Sequence, residues 1–134
     1  MPAGSGPSVS TPVTTGTIDT TATDFELTTP LCNLNTIGGV LVKLKVHWTP
    51  SATQTLACKL YQGSATGTQV GPSGGLVATA TGTTGAAAVF EFVDTSAYAQ
   101  SATGAQWVAT FAVNTGTGTV TYAFAEVETL APIQ

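Results

Sequence analysis

The sequence predicts an all-β protein, an antiparallel β-sandwich of about eight strands with a jelly-roll-like topology, and three observations carry that prediction. Charged residues make up only 7% of the 134-residue chain, against ~25% in an average domain, while Thr supplies about one residue in five. Helix formers such as Glu, Lys, Arg, Gln and Met are scarce, and Thr, Val, Ala and Gly dominate, a balance that favours pleated strands and turns. Apolar residues alternate in short runs separated by turn signals at roughly ten-residue spacing, the pattern of a sandwich or barrel. An immunoglobulin-like Greek key is the second choice, because strand count alone does not separate the two.

Taken in order, residues 1–22 carry Gly, Pro, Ser and Thr with little to bury, and are expected to form an extended N-terminal arm preceding a sandwich domain of residues 23–134. Within the arm, the stretch from Val13 to Asp19 is β-branched enough to add as an edge strand, on the chain's own sheet or on a neighbour's. Val13 and Ile18 are therefore candidate partner contacts. A first strand and a bend are expected in 24–34, around Phe25, Leu27 and Pro30-Leu31-Cys32. The clearest strand follows, with Val40, Val42, Leu44, Val46 and Trp48 on one face and Leu41, Lys43, Lys45 and His47 on the other.

Thr49-Pro50-Ser51 breaks that strand, since proline removes a ladder donor. The run 55–62 turns Leu56, Cys58 and Leu60 inward and Ala57, Lys59 and Tyr61 outward, so 40–62 reads as one long hairpin. A turn-rich stretch holding Thr68-Gln69-Val70 precedes strands at 76–81 and around Phe90 and Phe92, the latter ended by Asp94-Thr95-Ser96. Trp107, Ala109, Phe111 and Val113 share a face in 105–114. Asn114 to Gly118 reads as a hairpin loop with positive-φ positions. In the last strand, 119–130, Val120, Tyr122 and Phe124 share a face until the pattern slips at Val127, which places a β-bulge near Phe124 to Glu126.

The size suits a single hydrophobic core. No apolar run approaches the ~18 residues that span a bilayer, and a net charge of −4 with three basic residues provides no face for phosphates or anionic lipids. Nucleic acid and membrane are thus not expected as partners. Met1 to Ser10 lacks the basic and apolar regions of a secretory signal. Two settings accommodate this: a mature chain whose signal has been removed, or a protein made in a cytoplasm and released by lysis. Cys32 and Cys58 are the two cysteines. They are read as buried thiols in a reducing compartment, with a single disulfide as the lesser alternative.

Chemistry-bearing residues are sparse. His47 is the sole histidine, on a solvent-facing strand position beside Lys45, without an acidic neighbour in sequence. The near-pairs Asp24/Glu26, Glu91/Asp94 and Glu126/Glu128 lack calcium-loop spacing, and edge or interface charge is the reading preferred over metal binding or glycoside hydrolysis. No nucleophile elbow, HExxH, P-loop or CxxC occurs. The chain is accordingly read as no enzyme, with no cofactor. Trp107 belongs to the core, whereas Tyr61 and Tyr98, at an exposed phase and in a loop, are candidate contact residues.

The segments VLVKLKVHWTPSATQTLACKLYQG, FEFVDTSA and WVATFAVNTGTGTVTYAFAEVETL, covering about 40–130, resemble short β-sandwich virion proteins of tailed bacteriophages. The resemblance implies a structural protein that decorates a capsid surface or forms a head or tail appendage, commonly as a homotrimer. Its partners would be the major capsid protein and further copies of itself, and its location the virion, assembled in a host cytoplasm. The alternative from another class is a receptor- or carbohydrate-binding module of a fibre, tail tip or cell surface, for which Tyr61 or Tyr98 would supply an aromatic platform.

Overall fold

A computed structural model describes residues 8–32, 38–100 and 104–130. These hold ten strands: β1 Ser8–Val9, β2 Thr17–Ile18, β3 Glu26–Thr28, β4 Val40–Pro50, β5 Gln54–Gln62, β6 Gln69–Val70, β7 Leu76–Ala80, β8 Ala86–Asp94, β9 Trp107–Val113 and β10 Gly118–Thr129. A 3₁₀ turn at Ala22–Asp24 is the one helical element among the described residues.

Two antiparallel sheets face each other. Sheet A runs β1-β10-β4-β8 with β2 also on β10, and sheet B runs β3-β9-β5 with β6 and β7 both on the far side of β5. The pairing is nested: β2 lies on β10, β3 on β9, β4 on β8 and β5 on β7. Eight of the ten strands are a chain folded in half and rolled up, four strands to each sheet, and β1 and β6 add a fifth to sheet A and sheet B respectively. That is a jelly-roll, and the Greek key held as second choice is not the topology adopted.

The roll overturns the hairpin read over 40–62. β4 pairs with β10 and β8, and β5 with β9, β7 and β6, so the two lie in opposite sheets and Ser51–Thr53 carries the chain across the end of the sandwich. The expected hairpin loop Asn114–Gly118 is likewise a crossing, from β9 in sheet B to β10 in sheet A. It packs tightly: Gly116 has φ +67°, and a Cβ on Gly118 would sit 2.6 Å from Cδ1 of Trp48.

The inward phases are as the alternation indicates. Val40, Val42, Leu44, Val46 and Trp48 meet Leu56, Cys58, Leu60, Trp107, Ala109, Phe111 and Val113 across the core. The bulge, however, lies between Val120 and Tyr122 rather than near Phe124 to Glu126. The extra residue, Thr121, sends Val120, Ala123, Ala125 and Val127 inward and turns Tyr122 and Phe124 out of the core. Small alanines fit there because the tryptophans and phenylalanines of neighbouring strands already fill the space between the sheets.

Each indole is anchored at one end of the roll. Trp48 Nε1 donates to Gln54 Oε1 (3.2 Å), whose Nε2 donates to Thr115 O (2.9 Å) and Thr117 O (3.2 Å), binding the two crossings together. At the other end Asp94 Oδ2 accepts from Trp107 Nε1 and from Gln62 Nε2, both at 2.9 Å, and Asp94 Oδ1 accepts from Ser96 N (2.9 Å). Burial alone would raise the Asp94 pKa, but these donors outweigh it and hold the carboxyl below its ordinary value.

From Ser8 onward the segment read as an arm lies against its own β10. Ser10 N and Val13 N donate to Ala125 O and Ala123 O, each at 2.8 Å, and Thr17–Ile18 pairs with Gly118–Thr119. Ile18 is fully buried in the core, where residues 1–22 were expected to contribute nothing. Residues 1–7 of the arm, and residues 33–34 at the end of the segment in which a strand and a bend were expected, lie outside the described residues.

Candidate contact face

The outer surface of sheet A brings together the side chains that neither the core nor the end networks use. In register across β10, β4 and β8, Glu126–Lys43–Glu91, Phe124–Lys45–Val89 and Tyr122–His47–Ala87 form successive rows, with Glu128–Leu41–Val93 beyond them. The rows exist because β4 and β8 alternate strictly and the bulge at Thr121 brings β10 into phase with them.

The charges in this surface are largely satisfied locally. Lys43 Nζ lies 3.9 Å from Glu91 Oε2, and Glu126 flanks Lys43 from the other side. Lys45 Nζ sits 5.2 Å from the centre of the Phe124 ring, and Phe124 packs edge-on against Tyr122 at 5.4 Å between centroids. Thr121 Oγ1 donates to His47 O (2.9 Å), so its contact with His47 Nδ1 at 2.7 Å makes Nδ1 the donor. A shallow groove of about 260 Å³ runs between β10 and β8, lined by Lys45, His47, Ala87, Val89, Tyr122 and Phe124. Val89 and Tyr122 are 57% and 44% exposed, an apolar strip of the kind that soluble domains keep small unless something covers it, and Val93, 54% exposed, lies beyond the Glu126–Lys43–Glu91 row.

The residues singled out from sequence lie elsewhere. Ile18 is core. Val13 is half-buried and bridged to Ala123. Tyr61 is half-buried on the outer face of sheet B, beside Val108 of β9. Tyr98 is tucked in: its hydroxyl donates to Gln106 O (2.7 Å) and accepts from Gln106 N (3.0 Å), while its ring meets Trp107 edge-on at 5.5 Å. Cys32 and Cys58 are both buried. Cys32 bridges Ala105 and Cys58 opposes Phe111, positions six residues apart along β9, or roughly 20 Å. A disulfide needs Cα atoms within about 7 Å, so the two do not bond to each other. Cys32 Sγ donates to Pro30 O (3.4 Å), and burial pushes the Cys58 thiol pKa up.

The carboxylate near-pairs do not build a site. Glu91 and Asp94, three apart on one strand, point to opposite faces, one paired with Lys43 and the other buried. Asp24 is held above its ordinary pKa by a hydrogen bond and charge repulsion from Asp19, on the exposed 3₁₀ turn. Among the described residues no three His, Cys, Asp or Glu side chains come together to hold a metal ion, and no helix is long and apolar enough to cross a membrane.

Sequence reasoning placed Tyr122 and Phe124 on one face with Val120, and the bulge at Thr121 separates them, leaving Val120 in the core and turning the two aromatics outward. The usable signal was the pair Ala123 and Ala125, small residues that an all-aromatic inner face would not intersperse.

No protein-family model matches this chain, and no curated protein does. Among solved structures, a chain in the structure of infectious bursal disease virus strain Gx matches over 92% of this chain and 32% of its own, at 14% identity and a TM-score of 0.45. A chain from strain Gt matches at 16% identity, TM-score 0.42, over 92% of this chain and 32% of that one. One from the crystal structure of the T13 IBDV viral particle matches at 14% identity, TM-score 0.41, over 93% and 32%. This chain spans about a third of the length of each.

Proposed function

We propose that this chain is a non-enzymatic structural protein of a virion, a decoration protein that lays the outer face of sheet A on the outer surface of a capsid lattice and reinforces it. The observation that carries the reading is the strip Ala87, Val89, Tyr122 and Phe124 on the outer face of sheet A, beside the Lys43–Glu91 ion pair and with Lys45 over the Phe124 ring. Such a surface gains from burial without stranding an ion. The sequence resemblance to phage virion proteins supports the same reading, with the major capsid protein and further copies of this chain as partners, at the capsid surface.

The test is sedimentation of purified protein with capsids that lack it. Binding is expected, and Tyr122→Ser combined with Phe124→Ser is expected to weaken it at least about tenfold, with thermal stability changed little, because both side chains project from the outer face. Absence of binding by the unaltered chain refutes the proposal. The Tyr122–Phe124 pair beside a groove also favours a second reading, a carbohydrate- or receptor-binding module. Retention of a defined sugar on a glycan array, lost in the same double variant, would establish that reading instead.

A further inference from the structure

The strand edges of the roll are not alike. β1 and β2 are two-residue pieces separated by Pro12; β3 has three residues and runs into Pro30; β6 and β7 have two and five residues and are joined through Pro72. Each carries one of the devices that keep an edge from pairing, shortness or a nearby proline. β8 is nine residues, Ala86–Asp94, with no proline, no lysine and no bulge, and its only charges are Glu91, on the outer face, and the buried Asp94.

The ladder fixes which of its groups are open. Leu130 N donates to Gly39 O, one step beyond the Thr129–Val40 pair, so the odd-numbered residues of β4 bond to β10 and the even-numbered ones to β8. In β8, then, Ala86, Ala88, Phe90, Phe92 and Asp94 bond to β4, while the N–H and C=O groups of Ala87, Val89, Glu91 and Val93 point away from the sheet. No other strand among the described residues pairs with them.

We infer that β8 is the docking edge for a second copy of this chain, the two strands pairing antiparallel about a two-fold axis through Phe90. The occupant follows from self-complementarity. The four open residues are symmetric about position 90, so in this register Ala87 meets the copy's Val93 and Val89 meets its Glu91, and each of the four pairs exchanges two hydrogen bonds. Centring on residue 91 would set Glu91 against its own copy, and centring on 89 would leave Val93 without a strand partner. One sheet face measures roughly 20 Å by 30 Å, below the ~800 Å² per partner of a stable interface, and the joined pair doubles it.

This edge supplies the self-association named in the functional reading but stands on its own geometry. A chain that pairs yet ignores capsids keeps the inference, and a capsid-binding monomer overturns it.

The experiment is sedimentation equilibrium of the full chain over a concentration series reaching about 1 mM, with Val89→Glu and Val89→Lys as paired variants. The unaltered chain is expected to reach twice its monomer mass. Val89→Glu puts like charges opposite each other twice in the dimer and should raise the dissociation constant about tenfold or more, whereas Val89→Lys faces Glu91 of the copy and should retain or tighten pairing. Within one chain the order reverses, because Lys45 is the cross-strand neighbour of Val89, so loss of dimer in Val89→Glu is not loss of fold. Amide exchange at 87, 89, 91 and 93 should slow with concentration. A monomer throughout, a trimer, or equal dissociation by both variants overturns the inference, the last because it signals a register that sets residue 89 against its own copy.

Discussion

Replacing Asp94 removes a carboxylate that joins the two sheets at one end of the roll. The residue is 4% exposed, and its two oxygens accept from the Trp107 indole, the Gln62 amide and the Ser96 backbone. In Asp94→Ala the indole N–H, at a residue with no solvent exposure, keeps no acceptor, while Gln62 Nε2 retains Ser96 Oγ at 2.8 Å. One charge-assisted hydrogen bond and one stranded buried donor together come to about 3–4 kcal/mol. For a domain of this size that is a fall in Tm of about 10–15 °C. Because the folded pKa lies below the ordinary one, the unfolded chain binds the proton more tightly. The contribution is therefore complete above the usual carboxylate range near 4 and disappears as pH falls through the lower folded value. Urea unfolding followed by tryptophan fluorescence at pH 7 and through the acid range measures both effects. A loss under about 1 kcal/mol at pH 7, or an acid slope as steep in Asp94→Asn as in the parent, would refute the account.

At the opposite end, Gln54→Leu leaves the buried Trp48 indole N–H without its acceptor and removes the ties to Thr115 O and Thr117 O, the latter keeping Ser51 N, and should cost about 2–3 kcal/mol by the same unfolding assay, with a blue-shifted Trp48 emission. Cys58, buried and with its thiol pKa pushed up, should resist alkylation at pH 8 and react only at the rate of global unfolding; mass spectrometry over a denaturant series reads this directly.

The faces of the strands were legible in the sequence, and their partners were not. Alternation reports that Val42 and Leu56 both point inward, and they do, but two strands of one hairpin and two strands facing each other from opposite sheets give the same pattern. Only the pairing distinguishes them, and it depends on contacts between residues far apart in sequence. The bulge went astray for a related reason: apolarity ranks Tyr122 and Phe124 above Ala123 and Ala125 for the core, yet the volume between the sheets is already taken by Trp48, Phe90 and Phe111. The candidate face was hidden by the same shift, since its aromatics were set in phase with Val120, which is core. Ile18 was missed because a single apolar residue in a Thr- and Gly-rich stretch carries no periodicity.

The nested pairing sets an order of events for the chain as it is made. Thr17 waits for Thr119, Glu26 for Thr110 and Val40 for Asp94, so each outer pair closes a longer loop than the one inside it. The innermost pair, Gln54 with Ala80, is the only strand-to-strand closure of this set spanning fewer than about 30 residues, and it is the natural place for a nucleus. β10, which lies between β4 and the β1 and β2 pieces, leaves the ribosome after every other described strand. Sheet A is consequently completed last: until residue 129 has emerged, β4 lacks the full-length partner that β10 supplies along one edge. Folding should be slow and dominated by non-local contacts, and the growing chain should depend on chaperones that shield exposed sheet edges.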